Sequence, residues 1–282
     1  MTEHCPAVTC LCPTYGRFGR LREAVACFLL QDYPRKHLVI LNDAPSPIVE
    51  PDEALPDNIT LVNAEPRFHT LGHKRQTLLE LAQTPLAAHW DDDDLYMPWH
   101  LSQCAEALRH RREPLMVRPR GAWWALGCGA SFLVRGPCHN VFEGQVVFSR
   151  VDALAMGGYP PKVSGQAKAL IEAFQQAGDF REFDPWPFIS YVYRWGDGIR
   201  HVSTGGDNPQ THAAFGAENT DYGGGESLIP PGIPPYAWAR AAVAPLFARL
   251  LEGLKTHVNR ANKRLSTSDY EAIERRLKEV LR

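Results

Sequence analysis

The chain has 282 residues, 44% hydrophobic and 22% charged, with a formal charge of −2, the balance of a folded protein holding one large domain or two modest ones. Its apolar runs, such as Ala24–Leu30, fall short of the roughly 20 residues of a membrane span, and Met1–Pro6 lacks the basic and apolar stretches of a secretory leader, so a cytoplasmic location is expected. Seven cysteines without a Cys-x-x-Cys pair argue against a zinc cage or a disulfide framework, whereas the near-neutral charge still permits a local basic patch.

The first hundred residues alternate two periods. Ala7–Cys12 reads as a strand ending at Pro13-Thr14-Tyr15-Gly16, a turn signal. Leu21, Ala24, Val25, Phe28 and Leu29 then form the apolar stripe of a helix that stops near Pro34. His37–Leu41 reads as a buried strand with Asn42-Asp43 at its end, and Ile59–Val62 as another strand. His73–Ala82 reads as a helix, and Leu86–Trp90 as a strand running into Asp91-Asp92-Asp93-Asp94. Pro98 opens a helix with Leu101, Cys104, Ala105 and Leu108 on one face. This order predicts an α/β fold, a mostly parallel sheet with helices on both faces.

Farther on, Arg109–Arg120 is basic, Gly121–Gly129 is rich in Gly and Trp, and Gln145–Arg150 reads as a strand. Ala167, Leu170, Ile171 and Phe174 mark a helix. Tyr191–Trp195 and Ile199–Ser203 flank Gly196-Asp197-Gly198, a hairpin signal. Thr204–Pro235, rich in Gly, Pro and Asn, is expected to be a loop or lid. The remainder reads as helical, with Leu250, Leu251, Leu254 and Val258 on one face and Ser268-x-x-Glu271 as a capping box.

In an open α/β sheet, ligands bind beyond the carboxyl ends of the strands. Pro13–Arg17, Asp43 and Asp91–Asp94 all fall there. Four consecutive carboxylates repel unless they are solvated or neutralised by a cation, and hard oxygens favour Mg²⁺ or Mn²⁺ together with phosphate. A solvated acidic helix start is the plainer alternative.

Val8-Thr-Cys-Leu-Cys-Pro-Thr-Tyr-Gly-Arg17, Gln31-Asp32-Tyr33-Pro34 and Leu38-Val-Ile-Leu-Asn-Asp43 together resemble family 2 glycosyltransferases. Gly72-His-Lys-Arg75-Gln76, His89-Trp-Asp-Asp-Asp-Asp-Leu-Tyr-Met-Pro98 and Phe148–Pro160 continue the resemblance in order, over residues 7–160. The resemblance implies a GT-A fold and a nucleotide-diphosphate sugar donor, most often UDP-linked. It places the glycosyltransferase domain at 1–235, with a nucleotide-sugar half at 1–110 and an acceptor half and lid at 111–235. Residues 236–282 are a helical extension. By position, Pro13, Thr14, Tyr15 and Arg17 line the base pocket, Asp43 bonds the base, and Arg75 holds base or diphosphate. Asp91 and Asp93 are the outer carboxylates of an Asp-x-Asp motif. Asp91 and Asp92 then belong with the donor sugar and Asp93 with Mn²⁺ or Mg²⁺, which would stabilise the leaving diphosphate. His201 is a candidate further metal ligand, as a His late in many GT-A enzymes completes the metal shell.

Inverting members of the family carry an acidic base after the Gly-Gly-Tyr segment, opening a helix. Here that stretch is Ser164-Gly165-Gln166-Ala167-Lys168, so Ala167 stands at the expected base position. Three readings stay open. The base comes from Asp152, Asp179, Asp184 or Asp197; Ala167 is an inactivating replacement; or the register is shifted. A nucleotide-sugar binder that has lost catalysis is therefore the alternative to an enzyme.

The Tyr191–Ser203 block resembles phage-encoded members, some of which glycosylate hydroxymethylated bases in DNA. That likeness makes 5-hydroxymethylcytosine in DNA the first acceptor to consider, ahead of a glycan, lipid or protein hydroxyl. Arg109, Arg111, Arg112, Arg118 and Arg120 cluster, and the segment from Tyr236 carries ten Lys/Arg against five Asp/Glu, which would attract DNA phosphates or form a solvated face.

Overall fold

The computed structural model describes residues 5–48, 55–109, 116–127, 132–138, 142–195, 227–260 and 265–282. The chain runs β1 (Val8–Thr14), α1 (Phe18–Leu29), β2 (Lys36–Asn42), β3 (Ile59–Asn63), α2 (Leu71–Leu81), β4 (Leu86–His89), β5 (Leu95–Tyr96) and α3 (His100–Arg109). There follow β6 (Met116–Pro119), β7 (Ala122–Leu126), β8 (Leu133–Cys138), a 3₁₀ turn (Glu143–Gln145), β9 (Val147–Ser149), α4 (Arg150–Ala155), α5 (Gln166–Gln176), β10 (Phe180–Phe183) and β11 (Tyr191–Trp195). Two long helices close it, α6 (Pro235–Lys255) and α7 (Thr267–Leu281).

The main sheet has seven strands in the order β10-β6-β9-β4-β1-β2-β3. β3, β2, β1 and β4 are parallel, and β9 runs antiparallel between β4 and β6. The expected α/β architecture is present. Both faces of the central strands are covered, so each strand reads as an unbroken apolar run. Alternate residues reach opposite sides. Cys10, Leu38, Ile40 and Ala88 join the core under α1, α3, α6 and α7, whereas Leu11, Val39, Leu41 and Ala87 join the one under α2, α4 and α5. A second sheet, β5-β11-β7-β8, stands beside the aspartate run.

Several elements differ from the sequence reading. β6, β7, β8 and β10 fall in stretches whose Arg, Gly, Trp and Pro content hides a strand pattern; β6, β7 and β10 are completed by pairing with distant segments and β8 by pairing with β7. The strand expected over Gln145–Arg150 is shorter, because a 3₁₀ turn takes its first residue and α4 its last. α2 begins at Leu71, since the Thr70 side chain accepts from His73 N and caps it. The last helix is capped by Ser266 with Asp269 rather than by Ser268 with Glu271. Ile199–Ser203, the hairpin partner expected for Tyr191–Trp195, lies outside the described residues. β11 pairs with β7 and β5. Among the described residues no helix is long and apolar enough to cross a membrane.

Candidate active site

The carboxyl ends of β1, β2 and β4 open into a cavity of about 380 Å³. Its wall includes Pro13, Thr14, Tyr15, Arg17, Asp43, Arg75, Asp91, Asp92 and Asp93, nine residues expected from the sequence to meet donor or metal, with Asp94 beside them. The wall is completed by Arg67, by Thr70 and Leu71 at the start of α2, by Phe142–Gly144, by Val163–Gln166 ahead of and opening α5, and by Tyr191 and Tyr193 of β11.

The aspartate run is neutralised by the chain itself. Arg17 donates to both oxygens of Asp92 and, through Nη1, to Asp93 Oδ2 at 2.7 Å. The Thr14 hydroxyl adds a bond to Asp92 at 2.6 Å. Thr14 and Arg17 therefore line the cavity while their polar groups are engaged on Asp92. Burial pushes the Asp92 carboxyl up to about 6, with Arg17 pulling it back. Asp94 accepts from the Tyr191 hydroxyl and from Arg194 N at 2.9 Å, and burial raises it well above the carboxylate range. Arg194 also donates to the Asp93 carbonyl and to Glu23 of α1 at 2.5 Å. The loop is held on its far side by Tyr96, which stacks on Trp90, accepts from Asp91 N and donates to Gly144 O.

α2 delivers the remaining cations. Lys74 and Arg75 sit in its first turns, where positive charge opposes the helix dipole, and each is offset by a carboxylate. Lys74 donates to Asp43 and to Thr14 O, and Arg75 donates to Asp91 at 2.5 Å. Burial lowers the Lys74 ammonium against the pull of Asp43, while at Arg75 burial also pulls down but Asp91, Tyr159 and Glu143 together outweigh it and raise the guanidinium. Asp43, expected to meet the nucleotide base, already accepts from Lys74 and from Phe68 N at 3.0 Å. Arg75 Nε and Nη1 are buried and, among the described residues, make no well-formed hydrogen bond, with the Tyr159 hydroxyl beside the guanidinium. The Arg67 guanidinium lies 4.0 Å from the Tyr15 ring centre.

The base candidates fall elsewhere. Ala167 is 1% exposed and absent from the cavity wall, because α5 turns its preceding residues, Ser164, Gly165 and Gln166, toward the cavity instead. Asp184 is exposed beyond β10 and accepts from Trp186 N at 3.1 Å, closing its own turn. Asp152 lies in the first turn of α4 and Asp179 follows α5, both off the cavity wall. Asp197 and His201 lie outside the described residues. The further carboxylate on the cavity wall is Glu143, on the 3₁₀ turn. No periodicity marks a three-residue turn, so the sequence reading passed over it. Lys74 had a signal, as the neighbour of Arg75 in Gly72-His-Lys-Arg, and was also missed.

Of the described basic cluster, Arg118 and Arg120 both pair with Glu182, and Arg109 pairs with Glu106. On α7, Arg276 pairs with Asp32 while covering Trp99 and Phe188, and Lys278 pairs with Glu274.

Residues 9–120 match the family model described as Glycosyl transferase family 2. No curated protein matches the chain. Among solved structures, S. aureus TarS 1-349 in complex with UDP-GlcNAc is similar, at 14% identity and a TM-score of 0.53, over 87% of this chain and 73% of that one. TarS 1-349 in complex with UDP matches at 12% identity and a TM-score of 0.51, over 89% and 71%. Mannosyltransferase PcManGT from Pyrobaculum calidifontis, in complex with GDP-Man and Mn²⁺, matches at 17% identity and a TM-score of 0.51, over 99% and 86%. The family 2 match spans the segment that supplies β1, α1, β2, α2 and the aspartate run, and on this GT-A fold it makes the chain a glycosyltransferase.

Proposed function

We propose that the chain transfers a sugar, with inversion, from a UDP-linked donor to an acceptor hydroxyl. The observation that carries this is Arg75. Among the described residues two of its guanidinium nitrogens are buried without a well-formed hydrogen bond, beside the Tyr159 hydroxyl, in a cavity that Arg17 and Lys74 also line. An orphaned buried donor costs about 1–3 kcal/mol, and a diphosphate would supply the missing oxygens. Pro13, Tyr15, Asp43 and Arg67 are left to surround the base. The UDP-bound TarS structures and the GDP-Man-bound PcManGT structure support a nucleotide-sugar donor.

A divalent cation fits this donor set in one way. Among the described residues no three His, Cys, Asp or Glu side chains converge on one point, so an all-protein cage is absent from them. Mg²⁺-type sites commonly use one or two carboxylates with substrate phosphates completing the shell, and Asp93 is such a carboxylate at the cavity wall. Bound there, the ion would neutralise charge on the departing diphosphate.

For the acceptor, a 5-hydroxymethylpyrimidine in DNA is our first choice. Half-buried Phe142, Tyr193 and Trp195 form a row, with ring centres 4.4 and 6.0 Å apart, and aromatic faces of this kind stack bases. The test is calorimetry followed by a transfer screen. UDP should bind more tightly with Mn²⁺ than in chelator, and Asp93→Ala should remove most of that difference. Equal binding in chelator would remove the metal from the proposal. Hydroxymethylated duplex DNA incubated with UDP-glucose or UDP-GlcNAc should gain a hexose mass. A gain on a glycan, lipid or protein instead would replace the acceptor, and bound donor without turnover would identify a binder.

A further inference from the structure

The cavity wall carries six carboxylates, and five of them are spoken for. Asp43 is held by Lys74 and Phe68 N, Asp91 by Arg75, Asp92 and Asp93 by Arg17, and Asp94 by Tyr191 and Arg194 N. The sixth is Glu143. Among the described residues its carboxylate receives no hydrogen bond and forms no ion pair, although its backbone is firmly placed. His89 Nδ1 donates to the Glu143 carbonyl at 2.7 Å, and that fixes Nε2 as the acceptor for the Tyr159 hydroxyl at 2.5 Å. The next residue has to be glycine. A Cβ at Gly144 would stand 2.5 Å from Tyr191 Oη and 2.9 Å from Asp91 Oδ2, so the turn is pressed directly against the start of the aspartate run.

Resting on the transferase reading above, we infer that Glu143 is the general base that activates the acceptor hydroxyl. It lies on the cavity wall beside Asp91 and Arg75, where an acceptor arriving between the 3₁₀ turn and α5 would meet the donor sugar. In the step, the acceptor O–H gives its proton to a Glu143 oxygen as the acceptor oxygen bonds to the anomeric carbon. The bond from that carbon to the diphosphate breaks, and its electron pair leaves on the phosphate oxygen. Arg75 and Asp91 face Glu143 from the aspartate side, Lys168 from α5 and Arg118 from β6. Burial raises the carboxyl above its ordinary value, Arg75 pulling the other way and Asp91 adding to the rise, which suits a group that must hold a proton briefly.

The probe is consumption of UDP-glucose, UDP-GlcNAc and GDP-mannose, with water as the acceptor and UDP or GDP release as the signal. Glu143→Gln should lower the rate about 10²–10⁴-fold while leaving UDP affinity within about twofold by calorimetry, so that the loss falls on kcat. Azide is already anionic and has no proton to lose. With azide added, Glu143→Ala should regain turnover and yield the glycosyl azide of inverted configuration. A Glu143→Gln rate within about threefold of wild type overturns the assignment, as does a loss in Glu143→Ala that azide does not relieve. If the wild-type protein consumes none of the three donors, the transferase reading itself falls and takes this one with it. Wild-type turnover that survives Glu143→Gln overturns the base alone.

Discussion

Arg17 makes contacts that three separate residues would otherwise have to make. It covers both oxygens of Asp92 and one of Asp93, so the strand end closes electrically before any ligand arrives. Lys74 does the same for Asp43, and both side chains of that pair are almost wholly buried. Lys74→Met should leave the Asp43 charge without its counter-ion and cost about 3–5 kcal/mol, read by urea unfolding, with Asp43→Asn recovering part of the loss in the double variant. Glu143 behaves in the opposite sense. A carboxyl whose folded-state pKa lies above the unfolded value, here above 4.5, favours the folded chain at acid pH and loses that advantage as pH rises through the folded value. Glu143→Gln should therefore raise the melting temperature at about pH 7–8, and the gain should vanish near pH 4. Asp43 and the aspartates were legible in the sequence because each sits where a recognisable strand ends, and Arg75 because it stands in the Gly72-His-Lys-Arg75-Gln76 segment that opens α2. Glu143 was not, because its place depends on Gly144 approaching Asp91 and on His89 reaching its carbonyl. Ala167 misled because one residue of drift at a helix start turns a side chain from cavity to core.

The element that decides most is α2. Its first turn delivers Lys74 and Arg75, and its approach to the chain after Tyr159 is set by Gly72. Gly72 N donates to Lys162 O at 2.9 Å, and a Cβ there would stand 1.9 Å from Pro160 O, a backbone atom with little room to retreat. Gly72→Ala should cost about 1–3 kcal/mol or more, and it should weaken UDP binding together with stability because Arg75 shifts with the helix. Calorimetry and thermal melts on one sample would show both. Strands and helices of the first hundred residues were readable because both faces of the sheet are buried and the helices are amphipathic. β6, β7, β8 and β10 were not. β8 carries an exposed Leu133, four of the five residues of β7 are tryptophan or alanine, and β6, β7 and β10 owe their form to partners far away in sequence.

At the scale of the whole molecule, the C-terminal helices share the core of the catalytic sheet. Trp238, Phe247, Leu250 and Leu254 of α6 and Ile273 and Leu277 of α7 belong to the same buried cluster as Leu21, Val25 and Phe28 of α1. Leu250→Ala should thus cost about 2–5 kcal/mol in a single unfolding transition, measured by urea with fluorescence and far-ultraviolet circular dichroism superimposing. The insertion of β9 between β4 and β6 has a consequence for how the protein is made. On a growing polypeptide, β4 emerges some sixty residues before its antiparallel neighbour, with Ala88 waiting for Val147. Until then one edge of the nascent main sheet is open to any strand that passes. Translation past residue 149 is what removes that exposure, so a ribosome pausing between α3 and β9 would release the chain at its most adhesive.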